Sequence, residues 1–370
     1  MKSGDTKTMT ELPIIQWPGG RPPMPNGPIK APEAWYADEM ADSSLWLYQL
    51  SEADVSEINR ALDGMEKAKL GIIDLHPGNF PLPSLKAKLI EVRDHVVNRR
   101  GLYTMRGMPV EKMGFERAAA AYYGISTYLG ATVPQNGRGH VLGHVQDIGG
   151  SIKNPNNRAY MTRDPLPFHC DSCDVVGLLC VQKSMEGGAS AIASSVTVYN
   201  EMLKRRPDLA ALLFETVYVD RRGEVPEGKL PYYPLPVFNW YDGKLTTFYQ
   251  RMHIESCQRF PEVPRLTEKY IEALDLYDAI GLEENVCLKM SFQPGDMQYC
   301  NNHSLLHSRT GFIDWPEPER KRHLLRIWLS PDIGRALPDY YAERYGSVEV
   351  GHRGGVRVPG MLLQAPLRAA

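Results

Sequence analysis

Phe168-His169-Cys170-Asp171-Ser172-Cys173-Asp174 runs straight into Val175-Val176-Gly177-Leu178-Leu179-Cys180-Val181, an apolar run of strand length. A run of that kind, unbroken by polar residues, predicts a strand buried on both faces. Side chains alternate along a strand, so His169 and Asp171, two apart, are expected to project together as one imidazole and one carboxylate. Cys170 and Cys173 are three apart and would face opposite ways, which spoils a zinc or redox use of this Cys-x-x-Cys pair. The chain has no second Cys-x-x-Cys to complete a zinc site.

A third ligand must come from far along the chain. Asn301-Asn302-His303-Ser304-Leu305-Leu306-His307-Ser308-Arg309-Thr310 offers His303 and His307. Two histidines and one carboxylate on one face of an octahedral ion leave three positions open, which suits non-haem iron(II). Fifteen residues beyond His307 comes Arg322-His323-Leu324-Leu325-Arg326-Ile327-Trp328-Leu329. Read as a strand, it puts Arg322, Leu324, Arg326 and Trp328 on one face. An inward guanidinium pairs bidentately with a carboxylate, so an acidic ligand is expected near the metal.

Around these segments the chain changes character. Ser51 with Asp54 three residues on predicts a capped helix to about Lys69; further helices are expected over 84–98 and 115–129, the last stopped by Gly130. Beyond residue 140 short strands dominate, at 174–181, 217–219, 236–240, 245–249, 286–290 and 323–329, interrupted by helices over 196–213 and 265–280. The expected organisation is an extended Pro/Gly-rich arm (1–35) and a single domain (36–335). Within that domain a helical layer (36–140) supports a β-rich core (141–335), and a C-terminal tail (336–370) follows. No internal repeat is visible.

Bulk properties narrow the functional classes. The 370 residues are 43% hydrophobic and 23% charged, enough for a substantial core, and the net charge of −2 argues against a nucleic-acid surface. No apolar run approaches the roughly 18 residues of a membrane span, and Met1 to Thr10 lack a secretory apolar stretch, so a cytoplasmic location is expected. The six cysteines, none before residue 170, are expected to be free thiols. Symmetry statistics make a homodimer a fair expectation.

Five motifs in order resemble the taurine dioxygenase (TauD/TfdA) family of iron(II)/2-oxoglutarate-dependent oxygenases, relatives of clavaminate synthase. They are Phe168-His169-Cys170-Asp171, Gly187-Gly188-Ala189-Ser190, Pro294-Gly295-Asp296, Asn302 to Thr310, and Arg322 to Arg326; with Leu102 to Pro109 the resemblance spans roughly 100–330. It implies an α+β, mainly β fold: a double-stranded β-helix (jelly-roll) core with supporting N-terminal helices and an insertion between the metal-ligand segments. It places iron on His169, Asp171 and His307, preferring His307 over His303. Arg322 would bind the far carboxylate of 2-oxoglutarate, helped by Ser190, where the family commonly has threonine. Arg326 would contact an anionic substrate group or support the cosubstrate. The implied reaction consumes O2 and 2-oxoglutarate, yields succinate and CO2, and oxidises a C–H bond of a small, possibly anionic molecule by hydroxylation, desaturation or ring formation. An intact Asp171 argues against halogenation.

Gln135, Asn136, His140 and His144 fall where a lid or substrate loop would sit, and Trp240, Tyr249, Arg251 and His253 lie in the insertion. Two other readings remain open: a jelly-roll metal enzyme that does not use 2-oxoglutarate, and an inactive jelly-roll binding protein.

Overall fold

A computed structural model describes residues 12–17, 19–150, 159–358 and 360–368. The first helix, Glu52–Ala68, starts as its sequence dictates. The Ser51 hydroxyl accepts from the Asp54 amide at 3.2 Å while the Asp54 carboxylate accepts from the Ser51 amide at 2.8 Å. This reciprocal cap satisfies two amides that the first turn would otherwise leave without partners. Helices Lys86–Asn98 and Phe115–Ser126 follow, the latter stopping three residues short of the expected end.

Two sheets dominate. In the seven-stranded one, Val175–Gln182 lies between Met297–Asn301 and His323–Ser330. Alternation sorts its side chains. Leu325, Ile327 and Leu329 pack with the N-terminal helices in one core, whereas Val176 and Trp328 face the other way. The smaller sheet is antiparallel, in the order Cys287–Met290, Ser190–Ser194, Leu305–Arg309, Leu166–His169. The fold is thus mixed α/β, with two principal open sheets.

The helix expected over 196–213 is in fact two, Ser195–Arg205 and Pro207–Leu212. Pro207 has no amide to donate and bars its predecessor from the helical region, so Arg206 sits at φ −146°, ψ 74° and breaks the run. Together with Glu268–Gly281 these helices build a second core, closed by Leu337, Tyr341 and Tyr345.

The segment expected as a tail therefore contributes core residues. Its Arg353 is buried and donates to both oxygens of Asp174 at 2.8 and 3.0 Å, and the Gly355 amide donates to Ser172 O at 2.8 Å. These contacts brace the loop that carries Asp171. Arg353→Met would strand the buried Asp174 carboxylate and lower the unfolding free energy by about 3–5 kcal/mol; an unchanged urea midpoint would refute this. At the other end Trp35 is buried and its indole donates to Arg100 O at 2.8 Å, while Met1 to Glu11 lie outside the described residues.

Candidate active site

The smaller sheet places the two histidines of the candidate site. His307 and His169 are directly opposed across the Leu305–Arg309/Leu166–His169 ladder, with ring centroids 4.2 Å apart. Asp171 arrives differently from the expected alternation, because the strand ends at His169. The Cys170 amide donates to Tyr249 O at 2.8 Å, and the chain then bends. Asn302 fixes the bend: its Oδ1 accepts from the Asp171 amide at 2.9 Å and its own amide donates to Asp174 O at 3.0 Å. His169, Asp171 and His307 end with one ligand atom each, all within 4.8 Å of one another, the sole such group among the described residues.

Protonation suits a metal. His169 donates from Nδ1 to Pro167 O at 2.9 Å, which leaves Nε2 as the free donor atom. Burial pushes the His169 imidazole down and takes His307 to about 3, so both are neutral at ordinary pH. Burial alone would raise Asp171, but the Arg326 guanidinium and the Trp328 hydrogen bond help to hold the carboxyl below its ordinary value. Trp328 Nε1 donates to Asp171 Oδ2 at 2.9 Å, and Arg326 Nη1 lies 3.3–3.4 Å from both oxygens. A charged carboxylate and two neutral imidazoles are the forms that bind a divalent ion.

The rival histidine is committed elsewhere. His303 Nε2 donates to Asp174 Oδ1 at 2.6 Å within the buried Asp174–Arg353 network. Cys170 and Cys173 are buried thiols, Cys170 pushed up to about 12 by burial, and neither belongs to a metal-ligating group.

Two cavities meet at His169 and Asp171. The smaller, about 70 Å³, is lined by His307, Ser190, Arg309 and Arg322 as well as by His169 and Asp171. Arg322 precedes the strand His323–Ser330 and is 5% exposed, yet its Nη1 has no hydrogen-bond partner. Burial pushes this guanidinium down to about 10. A buried, unanswered cation is costly unless a ligand completes it. A dicarboxylate chelating the metal at one end would supply that partner at the other, so the residues present fit 2-oxoglutarate.

Glycines make room for Arg322. Gly187 and Gly188 have φ of +71° and +69°, and a Cβ on Gly188 would lie 3.0 Å from Arg322 Nε. Gly188→Ala is expected to displace the guanidinium and weaken 2-oxoglutarate binding roughly tenfold or more. Unaltered affinity by anaerobic titration would show that the turn does not position Arg322.

The larger cavity, about 980 Å³, opens from His169 and Asp171 toward Tyr233, Gln250, Met252 and Arg344. Gln135 lines it, but as a buried brace. Its Oε1 accepts from Arg326 Nε at 2.7 Å and its Nε2 donates to Arg326 O at 2.8 Å. His253 lines the same cavity. His144 instead pairs with His323 at 2.8 Å, and Trp240 packs on the second core. Two features went unread in the sequence: the Trp328–Asp171 bond, for which shared strand parity with Arg326 was the available signal, and the placement of Arg309.

Two imidazoles and a carboxylate on one side of a prospective ion, with open space beyond, define a mononuclear non-haem metal site. The profile described as "Taurine catabolism dioxygenase TauD, TfdA family" matches residues 69–328, and the chain belongs to this family of iron(II)/2-oxoglutarate-dependent oxygenases. FR-33289 synthase of Streptomyces rubellomurinus is 30% identical over 84% of this chain and 93% of its own. Taurine hydroxylase-like protein SAT17 of Stachybotrys chartarum is 31% identical over 84% and 82%. Among solved structures, asparagine oxygenase with Fe(II), 3-hydroxyasparagine and succinate superposes with a TM-score of 0.60 at 17% identity, covering 77% of this chain and 93% of that one. The non-haem iron oxygenase OrfP with Fe and α-ketoglutaric acid gives 0.57 at 15%, covering 76% and 93%. No helix among the described residues is long and apolar enough to cross a membrane.

Proposed function

We propose that this oxygenase oxidises an unactivated C–H bond of a small organic molecule held in the 980 Å³ cavity. The observation that carries the proposal is that His169 and Asp171 border both a small cavity with an unanswered buried cation, which His307 also lines, and a large cavity open to a second ligand. In this reading the two principal sheets are the walls of a double-stranded β-helix, and His169, Asp171 and His307 hold iron between them. Iron and 2-oxoglutarate supply the oxidising chemistry, consuming O2 and releasing succinate and CO2.

The rest falls to the chain. Arg322 and Ser190 hold the far carboxylate of the cosubstrate. Trp328 and Arg326 keep the Asp171 carboxylate ionised and oriented, so Arg326 acts on the metal-binding carboxylate rather than on an anionic substrate group. The substrate would lie against Tyr233, Gln250 and Met252. Arg344 and Arg357, which donate to the carbonyls of Gly355, Gly354 and His352, leave positive charge on the wall and favour a substrate with an anionic group.

The test is anaerobic titration of the purified protein with ferrous iron and then 2-oxoglutarate, followed by screening of small anionic and neutral molecules for coupled succinate release. A visible charge-transfer band on adding the keto acid supports the site. Iron binding without a band would sink the cosubstrate assignment, and no iron binding would sink the catalytic one.

A further inference from the structure

His307 and Arg309 are two apart on the strand Leu305–Arg309, so both project from one face, roughly 7 Å apart along the chain. Directly opposite Arg309 in the ladder stands Ser190. Cross-strand partners have their Cβ atoms about 5 Å apart, so a ligand reaching the Ser190 hydroxyl comes within reach of Arg309.

The Arg309 side chain is 7% exposed, and its fork is half used. Nη2 donates to Thr162 O at 2.8 Å and to Asp164 O at 2.5 Å, whereas Nε and Nη1 are buried without a partner. Both guanidiniums lie against one ring: the Phe312 centroid is 4.8 Å from the guanidinium carbon of Arg309 and 5.1 Å from that of Arg322. The smaller cavity is thus bordered by two buried cations with three unpartnered guanidinium nitrogens between them and a hydroxyl alongside. Burial pushes Arg309 down to about 10, and the charge of Arg322 adds to the shift. Asp147 and Asp164 oppose that shift at Arg309, as Asp314 does at Arg322, without hydrogen-bonding the free groups. An anion in the cavity would relieve both arginines at once.

We infer that Arg309 is a second cation for the far carboxylate of the cosubstrate, gripping it from the His307 strand while Arg322 grips it from the other sheet, and that the pair makes the site selective for a dicarboxylate. This rests on the reading of the small cavity as the 2-oxoglutarate site. Two donors from different strands, with Ser190 as a third, would fix the carboxylate's orientation as well as its charge.

The experiment compares 2-oxoglutarate with 2-oxopentanoate, which has the same carbon chain and keto acid end but no far carboxylate. Binding of each to the iron-loaded protein is followed anaerobically by the charge-transfer band in wild type, Arg309→Met and Arg309→Lys. In Arg309→Met the Kd for 2-oxoglutarate should rise roughly 30-fold or more while that for 2-oxopentanoate stays within about twofold. Arg309→Lys should keep part of the discrimination, because it restores charge without the fork. Parallel weakening of both keto acids would reveal a merely structural arginine and overturn the inference, as would unchanged discrimination. Should Arg309→Met fail to fold, Arg309→Lys decides by the same criterion, with a selective loss of roughly threefold or more for 2-oxoglutarate expected. A wild type that does not prefer 2-oxoglutarate would instead overturn the underlying reading, and this inference with it.

Discussion

Asp171→Ala is expected to remove iron-dependent oxidation altogether and to abolish the charge-transfer band. The carboxylate is the sole anionic member of the triad and is presented from a bend held by Asn302 rather than from a strand. If the triad holds iron as proposed, the substitution removes a ligand and leaves Arg326 facing two neutral imidazoles, so iron affinity should fall by well over a hundredfold. Loss of an outer partner costs roughly 10–100-fold. Trp328→Phe supplies that milder case, since it removes only the 2.9 Å bond to Asp171 Oδ2 and should fall inside that range. Iron binding followed by calorimetry, with thermal unfolding of the metal-free variants alongside, separates a lost ligand from a lost fold. Wild-type turnover in a folded Asp171→Ala would defeat the triad assignment.

Arg322→Met should raise the Kd for 2-oxoglutarate about a hundredfold, equivalent to ~3 kcal/mol, with little change in iron affinity. The side chain is almost wholly buried and its Nη1 has no partner, so an incoming carboxylate gains a charge-assisted bond in a buried site. Methionine keeps the length and apolar bulk against Phe312 while deleting the charge. An unaltered 2-oxoglutarate requirement would move the anchor away from Arg322. Arg326 is a poor substitute for that role, because its Nε and Nη1 are engaged by Gln135 and Asp171.

Some of this site is local, and therefore legible in a bare sequence. Strand alternation put Arg326 and Trp328 on one face, and the structure turns both onto Asp171. The Ser51–Asp54 cap is equally local and formed as its spacing dictates. Local rules failed where a single residue broke the period: Pro207 split one expected helix, and the strand expected to carry both His169 and Asp171 stops at His169.

By itself, then, the sequence determined the chemistry on offer: two histidines, a carboxylate and inward arginines in motifs of the right order. Only the tertiary structure separated the two candidate histidines. His303 and His307 are four residues apart with the same intrinsic affinity for a metal, but His303 meets Asp174 and Arg353 whereas His307 meets His169. The same holds for the arginines. Arg309, Arg322 and Arg326 differ in which partners the two sheets bring them, and a partner more than a hundred residues away leaves no periodic trace in the chain.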